Sequence, residues 1–460
     1  MVAYRSAAAR RVLNQLEKAM EITQAAAAYG AAASEQKDRR VGRVVFASAL
    51  GTIIEWYDFL IYGAAAALVF NKLFFPSEDP FLGTMAALGS AAVGFFARPF
   101  GGAVFGYFGD RLGRKSMLLL TLVIMGLGTF AIGLLPTYAQ IGIWAPILLI
   151  LLRIVQGIGL GGEWGGAALM VLEHAPARRR GLCGSLVQVG FPIGLILSAG
   201  VFGLVSKLPE EEFLSWGWRV PFLSSLVLVI LGAFIRLKVE ESPVFEAMKA
   251  KKEIARNPLA EAIFRHPKSF LVAIGLKISE VSWVYMLTVF VVVYATTRLG
   301  LPKAQILDAI MIAAAIEIVT IPLFGHLSDV FGRRPFYFAG ALFTIGFAFP
   351  MFWLLDLRDP LVIVAAVAVA LSFGHGLMFA PEATYFPELF GARARYSGAS
   401  FGFQVAAAIG GGLTPVLATW LTQKWSGTAG VSLMLIALAL VTLIAAFCAH
   451  ETRNRSVAEL

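Results

Sequence analysis

Gly106-Tyr-Phe-Gly-Asp-Arg-Leu-Gly-Arg-Lys115 and Gly325-His-Leu-Ser-Asp-Val-Phe-Gly-Arg-Arg334 share one pattern of glycine, aspartate and basic residues. The two aspartates, Asp110 and Asp329, are 219 residues apart, and the same offset relates Glu163 to Glu382. A ten-residue pattern that recurs together with a distant acid is hard to obtain by chance. The sequence therefore predicts two halves of similar layout, an organisation that many membrane proteins share.

The residues around these two copies are strongly apolar. Of the 460 residues, 58% are hydrophobic and 15% are charged, and the mean hydropathy is +0.76. A soluble chain has roughly 45–50% apolar and about 25% charged residues. The apolar residues form runs that do not alternate in polarity and that reach the roughly 20 residues a bilayer-spanning helix needs, which favours helices over a β-barrel. We predict an all-α membrane protein with twelve spans, at 44–70, 83–108, 116–135, 142–172, 182–206, 219–237, 270–297, 304–327, 336–355, 361–389, 396–422 and 429–449.

The net charge of +9 is explained by membrane topology and does not indicate a nucleic-acid partner. If both termini are cytoplasmic, the cytoplasmic segments hold 28 of the 38 Lys and Arg residues, as the positive-inside rule requires. We therefore expect a multi-pass protein of the plasma membrane, in bacteria the inner membrane. The predicted organisation is an N-terminal tail (1–43), a six-helix half (44–237), a linker (238–268), a second half (269–450) and a C-terminal tail (451–460).

Charged residues occur within only some of the predicted spans. Charged residues inside a membrane usually mark the pathway of a solute or an ion. Spans 3, 6, 9 and 12 have no charged residue in their interiors, which predicts that they face lipid. At ~1.5 Å rise per residue, most of the charges on the other spans lie roughly 10–20 Å from the cytoplasmic end, near the bilayer midplane. The acids of this belt are Glu55, Asp58, Glu163, Glu280, Glu317 and Glu382, and the bases are Arg98, Arg153 and Lys277.

This belt contains three more acids than bases. Uncompensated carboxylates in a low dielectric tend to hold protons, so the excess favours coupling to a proton gradient. Asp58, Glu55, Glu163 and Glu382 are the candidate proton carriers. The alternative is that the charges are fixed structural pairs, such as Asp58 or Glu55 with Arg98. Six aromatic residues flank the belt and could form a cage for a quaternary ammonium group, although such residues more often pack or anchor at the membrane interface: Trp56, Tyr57, Tyr62, Trp164, Trp283 and Tyr285.

The sequence gives little support for a nucleotide site, a metal site or an enzyme. Gly157, Gly161 and Gly165 recur every four residues, a spacing that lets membrane helices approach closely. No strand precedes this stretch, so it is not a dinucleotide site, and no phosphate-binding loop of the correct spacing occurs. Cys183 and Cys448 suggest neither a disulfide nor a metal site. Neither a nucleophile–base pair nor a metal cluster is visible, so we expect no enzyme, no cofactor and no ATP-driven pump.

The sequence resembles the major facilitator superfamily, whose signature loops match the two copies quoted above. Within it, the sequence is similar to the metabolite:proton symporters, which include shikimate, proline/betaine, citrate and 2-oxoglutarate carriers. The resemblance covers roughly residues 40–450. It depends on Glu55-Trp-Tyr-Asp58-Phe, Ala97-Arg98-Pro99, Arg153-Ile-Val-Gln156, Glu163-Trp-Gly-Gly, Glu173-His-Ala-Pro and Arg179-Arg180-Gly181.

The resemblance implies an alternating-access symporter. It implies gating contacts between the halves for Asp110, Gly113, Arg114, Asp329, Gly332 and Arg333, and a role for Arg153 in proton transfer. Arg98 and Lys277 are candidate contacts of a substrate carboxylate. Glu280, Tyr285 and His375 complete the expected substrate-binding residues.

The function expected from the sequence is proton-coupled import of a small organic acid, such as shikimate or a dicarboxylate, by a protein that we expect to be a monomer in the bilayer. Three alternatives stay open: an osmolyte symporter for proline or betaine, a drug:proton antiporter, and a sensor with a transporter fold. The substrate, the proton stoichiometry and the direction of transport cannot be derived from the sequence, because a few side chains in a cavity decide them.

Overall fold

The computed structural model describes residues 41–78, 80–238, 241–250, 258–391 and 394–453. Residues 45–460 form one compact unit, and residues 1–44 belong to another. Most of the two predicted tails and the middle of the predicted linker lie outside the described residues. All candidate site residues lie in the unit 45–460.

Twelve long helices follow one another in the described part of the chain. Eleven are long and apolar enough to cross a membrane, and α2, with 33 residues, also has the length to do so. They are α1 (Val41–Leu73), α2 (Pro80–Leu112), α3 (Arg114–Leu134), α4 (Trp144–His174), α5 (Ala177–Val205), α6 (Glu210–Leu237), α7 (Pro267–Thr297), α8 (Lys303–Phe331), α9 (Arg334–Asp356), α10 (Pro360–Glu388), α11 (Arg395–Lys424) and α12 (Ala429–Cys448).

The predicted spans are confirmed, since each overlaps one of these helices. Most helices extend several residues beyond the apolar run, because backbone hydrogen bonding continues into the polar ends. A widened turn at Ala370–Gly376 interrupts α10. At its start the Ala370 carbonyl oxygen accepts a hydrogen bond from the Trp283 indole nitrogen of α7 at 2.8 Å. This turn contains His375 and brings it towards α7.

The six N-terminal helices and the six C-terminal helices meet along several helix pairs, which include α5 with α10 and α4 with α10 and α11, and two pairs have the most extensive contact. Helix α2 packs along α11, and α5 packs along α8. Within the first half, α4 lies between α2 and α3. The site described below is therefore enclosed by helices of both halves.

The glycines of α4 allow this packing, as their spacing predicts. A Cβ atom on Gly157 would overlap the carbonyl oxygen of Gly94 on α2, and one on Gly161 would overlap the carbonyl oxygen of Arg98. Gly165 faces the Ser400 hydroxyl of α11 in the same way. Because there is no side chain at these positions, backbone approaches backbone, and α4 sets the distance between its neighbours.

The prediction that spans 3, 6, 9 and 12 face lipid is correct only in part. Helices α6, α9 and α12 are among the least buried of the candidate spans. Helix α3, in contrast, directs Thr121 and Thr129 into the interior, where both hydroxyls bind carboxylates. The end of α6 also contributes a buried cation, Arg236. A search for charged residues inside the spans does not detect these interior contacts of α3 and α6, because threonine is neutral and Arg236 lies at the edge of its apolar run.

We predict that Gly161→Ala destabilises the protein, because the added methyl group forces α2 and α4 apart. Overpacking of this kind costs about 1–3 kcal/mol, which should lower the apparent melting temperature of the purified protein in detergent. Gly203→Ala on α5 is the matched control, since a Cβ atom there meets nothing within 4 Å. Equal melting temperatures for the two variants would contradict the close packing of α2 and α4.

Candidate functional site

Five ionisable side chains of the second half form one buried cluster. The Lys277 ammonium lies between Glu280 Oε2, at 2.5 Å, and Glu382 Oε2, at 3.0 Å. The His375 ring lies between two carboxylates in turn, with Nε2 at 2.8 Å from Glu280 Oε1 and Nδ1 at 2.7 Å from Glu317 Oε1. Helices α7, α8 and α10 thus bring three acids and two bases into continuous contact.

In the first half, four buried charged side chains of the belt form no ion pairs of this kind within the described part of the chain. Arg98 of α2 and Arg153 of α4 each place their guanidinium carbon 4.5 Å from the centre of the Phe59 ring. Neither arginine forms an ion pair with a carboxylate in the described part of the chain, although both are buried. Glu55 Oε2 and Asp58 Oδ1 are likewise buried without a hydrogen-bond partner among the described residues. This half therefore holds two acids and two bases that are close but not paired.

A chain of hydrogen bonds connects Asp58 to Arg153. The Thr129 hydroxyl donates to Asp58 Oδ2 at 2.9 Å, and Gln156 Nε2 donates to the Thr129 oxygen at 2.7 Å. Arg153 Nη1 lies 3.4 Å from Gln156 Oε1. Asp58, Arg153 and Gln156 also line a pocket of about 10 Å³ within the first half. A change in the charge of Asp58 would thus be felt by Arg153 through two intervening side chains.

A second cavity, also of about 10 Å³, lies between the two halves, and we refer to it below as the pocket between the halves. Trp56 and Arg98 line it from the first half, and Lys277 and Tyr285 line it from the second. The remaining lining residues are Glu280, Val281, Val284, His375, Phe379, Phe403 and Ala407. All five residues predicted to bind substrate therefore line one pocket. Of the six aromatic residues noted in the sequence, only Trp56 and Tyr285 line it.

Glu163 lies apart from both pockets. It forms an ion pair with Arg236 of α6, whose Nη1 is 2.9 Å from Glu163 Oε2, and it accepts a hydrogen bond from Thr121 at 2.8 Å. The sequence analysis counted Arg236 with the cytoplasmic basic residues, but in the structure it pairs with an acid of the belt, which lowers the excess of acids. The charges of the expected belt form separate groups within and between the halves.

At one end of the bundle, loop carboxylates connect the halves. Asp110 accepts hydrogen bonds from the Tyr396 and Ser397 amides at the start of α11, at 3.4 and 3.0 Å. Asp329 accepts bonds from the Gly181 and Leu182 amides of α5, at 2.7 and 2.9 Å. A carboxylate is favoured at a helix N-terminus because it satisfies free amides and the positive end of the dipole. The two contacts are equivalent and run in opposite directions between the halves.

Buried arginines extend both contacts. Arg114 lies 3.6 Å from Asp110 and 3.5 Å from Glu173, which in turn lies 3.8 Å from Arg395. In the other half the equivalent distances are 2.9 Å from Arg333 to Asp329, 3.7 Å from Arg333 to Glu388 and 3.8 Å from Glu388 to Arg180. We name these two sets the latches. One consists of Asp110, Arg114, Glu173 and Arg395, and the other of Asp329, Arg333, Glu388 and Arg180.

Gly113 and Gly332 have φ angles of +116° and +101°, a region that favours glycine. Each glycine turns the chain sharply from one helix to the next. The free backbone amides at the start of α3 bind a carboxylate from the segment that follows α6. Those at the start of α9 bind a carboxylate from the segment that follows α12. Glu241 accepts from the Arg114 amide at 3.1 Å, and Glu451 accepts from the Arg333 amide at 3.0 Å.

The structure thus brings all six predicted gating residues into the latches or their turns. Sequence reasoning assigned no role to Thr129, Gln156 and Arg236, because Thr129 and Gln156 are uncharged and Arg236 lies at the end of its predicted span. It also assigned no role to Glu173, Glu388, Arg180 and Arg395. A second offset could have found these four, because 215 residues separate Glu173 from Glu388 and Arg180 from Arg395.

Comparison with known proteins agrees with this architecture. Residues 48–411 match the family model of the Major Facilitator Superfamily. The chain is 43% identical to the shikimate transporter of Escherichia coli strain K12, over 90% of this chain and 96% of that protein. It is 44% identical to the inner membrane metabolite transport protein YhjE of the same strain, covering 90% and 95% of the two chains. It is 38% identical to the proline/betaine transporter of Salmonella typhimurium, covering 91% and 85%.

Among solved structures, the proton:xylose symporter XylE bound to a bromodeoxyglucose matches with a TM-score of 0.73 at 19% identity, covering 92% of this chain and 98% of that chain. This likeness shows the fold. Together the matches define a multi-pass membrane transporter rather than an enzyme. The chain belongs to the Major Facilitator Superfamily, and its relatives are metabolite carriers, so the resemblance stated from the sequence is confirmed.

We predict that Asp329→Asn loosens its latch. Hydrogen bonds to a charged group contribute about 1.5–3 kcal/mol, and losing the charge should increase opening by roughly tenfold or more. The buried native Cys183 follows the two amides that bind Asp329, so it reports opening. In a Cys448→Ser background, maleimide should label Cys183 faster in the variant.

Asp359→Asn is the matched control for this experiment. Asp359 also accepts from two helix amides, those of Leu361 and Val362, but both belong to its own helix. Labelling of Cys183 should not change in this variant. Equal labelling rates in the two variants would show that Asp329 does not hold the halves together.

Proposed function

We propose that this protein is a proton-coupled symporter that imports a small organic acid by alternating access. The observation that carries the proposal is Arg98: a buried guanidinium, without a carboxylate partner in the described residues, that lines the pocket between the halves. A buried cation without a counter-ion is costly. A substrate carboxylate would supply the counter-ion, and Lys277 lies across the same pocket as a second contact.

The shape and lining of the pocket support an acid over a betaine. A quaternary ammonium group needs a free aromatic face, but protein cations already cover several faces here. Lys277 Nζ lies 4.2 Å from the Phe403 ring centre and 5.1 Å from that of Phe379. Arg98 covers Phe95 at 5.0 Å as well as Phe59. The shikimate transporter is also a nearer relative than the proline/betaine transporter, at 43% against 38% identity.

Proton coupling is supported by the unpaired acids of the first half. Asp58 has one buried oxygen without a hydrogen-bond partner among the described residues and is linked to Arg153 through Thr129 and Gln156. Glu55 lies one turn earlier on α1. We assign Asp58 as the main proton carrier of this half, with Glu55 beside it. Glu163 is the weaker candidate, because Arg236 already neutralises it.

The latches, in this proposal, close the cytoplasmic side while the pocket loads from outside. The first half comprises 44–237 and the second 269–450, joined by the linker 238–268. Both tails are cytoplasmic in the inner membrane, and the protein acts as a monomer. Asp110, Asp329 and their arginines then separate when the pocket opens inwards.

The first test is uptake into proteoliposomes of radiolabelled shikimate, 2-oxoglutarate, citrate, protocatechuate, proline and glycine betaine. Each compound is offered with and without an inward proton gradient. We expect gradient-dependent accumulation of an acid from this panel and no accumulation of glycine betaine. Accumulation of betaine alone would identify an osmolyte symporter. Export of a compound when the proton gradient is imposed would identify an antiporter.

We predict that Asp58→Asn abolishes uphill accumulation and leaves exchange of labelled for unlabelled substrate in place. Exchange needs no net proton movement, whereas accumulation does. The matched control is Asp356→Asn, since Asp356 accepts a hydrogen bond from Tyr294 at 2.6 Å and lines neither pocket. Accumulation unchanged in Asp58→Asn would remove Asp58 from the coupling scheme.

A further inference from the structure

We propose that the second half contains its own proton-binding site, Glu382, which is loaded when the carboxylate of a bound substrate replaces Glu382 as the partner of Lys277. The inference deepens the proposed function and depends on it, because it requires an organic acid in the pocket between the halves. It adds a second coupled proton to the one assigned to Asp58.

The first step is a proton count for Glu280, His375 and Glu317. Both ring nitrogens of His375 face a carboxylate oxygen at hydrogen-bond distance. Two hydrogen bonds require either an imidazolium between two carboxylates, or a neutral ring with one protonated carboxyl group. Both arrangements place two protons on the three groups, with a total charge of −1. These positions are therefore filled and offer no further proton site between the groups.

The second step is the charge of the whole cluster. The Lys277 ammonium balances the charge of the three groups just counted, and the Glu382 carboxylate then leaves the five groups at −1. Glu382 Oε2 contacts Lys277, whereas Oε1 is buried and has no hydrogen-bond partner in the described part of the chain. Glu280 differs, since His375 and Lys277 engage both of its oxygens. Glu317 Oε2 is also buried without a hydrogen-bond partner in the described residues, but Glu317 contacts His375 and not Lys277. Glu382 Oε1 is therefore the position where a proton is accommodated when Lys277 changes its partner.

The third step concerns the position of Lys277. Lys277 lines the pocket, and Glu382 contacts it without lining the pocket. A substrate carboxylate that reaches Lys277 would gather three carboxylates around one ammonium, which is unfavourable in a low dielectric. Replacement resolves this: the Lys277–Glu382 ion pair breaks, the Lys277–substrate pair forms, and a proton from the open aqueous side binds Glu382 Oε1. Charge is conserved, because each anion that enters brings one proton.

The neighbours of Glu382 offer no competing cation. The titratable or charged groups that face it are Lys277 and Glu280 from α7, His375 from its own helix, and the Tyr337 phenol from α9. Of these, Lys277, Glu280 and His375 line the pocket, and Lys277 is the cation that contacts Glu382. Opening the pocket to the other side would release the substrate, return Glu382 to Lys277 and expel the proton.

The first experiment needs no substrate, because mildly acidic pH is expected to protonate the unpartnered Glu382 Oε1 while Oε2 stays in contact with Lys277. Infrared difference spectra of the purified full-length protein in nanodiscs, between mildly alkaline and mildly acidic pH, report protonated carboxyl groups. We expect one carboxylic-acid carbonyl band to be absent in Glu382→Gln and present in Glu163→Gln, a matched control in which the altered carboxylate pairs with Arg236 instead. A spectrum of Glu382→Gln identical to that of the wild type would overturn the proposal.

The second experiment uses shikimate as the probe. Calorimetric titration in buffers of different ionisation enthalpy measures the protons bound with each shikimate. We expect proton uptake to fall by about one proton per shikimate in Glu382→Gln, with shikimate binding retained and less dependent on pH. Uptake equal to that of the wild type would refute the role of Glu382. If shikimate and the other acids fail to bind the wild type, the proposed substrate class fails, while the infrared result still decides whether Glu382 holds a proton.

Should Glu382→Gln not fold, Glu382→Gln combined with Lys277→Gln removes both charges of the pair together, which avoids leaving one buried and unpaired. The infrared comparison then uses the double variant and Lys277→Gln alone. The proposal expects the Glu382 band to be present in the single variant, where the carboxyl group has lost its cation, and absent in the double variant. A band that persists in the double variant belongs to another residue and would overturn the assignment.

Discussion

Burying a charge away from water is costly, and this cost decides the arrangement of nearly every polar group in the bundle. Glu163 neutralises Arg236, Lys277 lies between two glutamates, and the latch arginines each reach an aspartate or glutamate. Against this background Arg98 and Arg153 stand out, because neither forms an ion pair with a carboxylate in the described part of the chain. In the proposed function, a proton or a solute would complete the balance of charge in this region.

The two halves share a plan but not a charge pattern. The 219-residue offset places Lys277 where the first half has Asp58, and Glu317 where it has Arg98. The same positions on the first and second helix of each half therefore carry opposite charges. In the second half the acids are in direct contact with bases, through Lys277 and His375. In the first half they are separated by the Phe59 ring and by Thr129 and Gln156, so this half is the more easily altered by a proton.

The sequence predicts the twelve helices well because each must bury some 20 apolar residues in lipid, whatever its neighbours are. The resemblance also points to the residues that join the halves in the latches, because Asp110 and Gly113 belong to a local pattern that recurs. The partners of Asp58 and Glu163 could not be predicted in this way. Counting residues gives the depth of a side chain in the bilayer but not the direction in which it points. The contact of Arg236 with Glu163 depends on how α4 and α6 are rotated against each other, which only packing decides.

The latches also bear on how a chain of this kind could arise. Asp110 of the first half holds α11 of the second, and Asp329 of the second holds α5 of the first. A contact in which surface i binds surface j while j binds i is isologous, the arrangement of a symmetric dimer. A six-helix ancestor with one loop aspartate and one receiving helix would form both contacts at once by pairing with a second copy. Fusion of the two copies would then free each half to change its own interior charges, as the opposite charges at Asp58 and Lys277 illustrate.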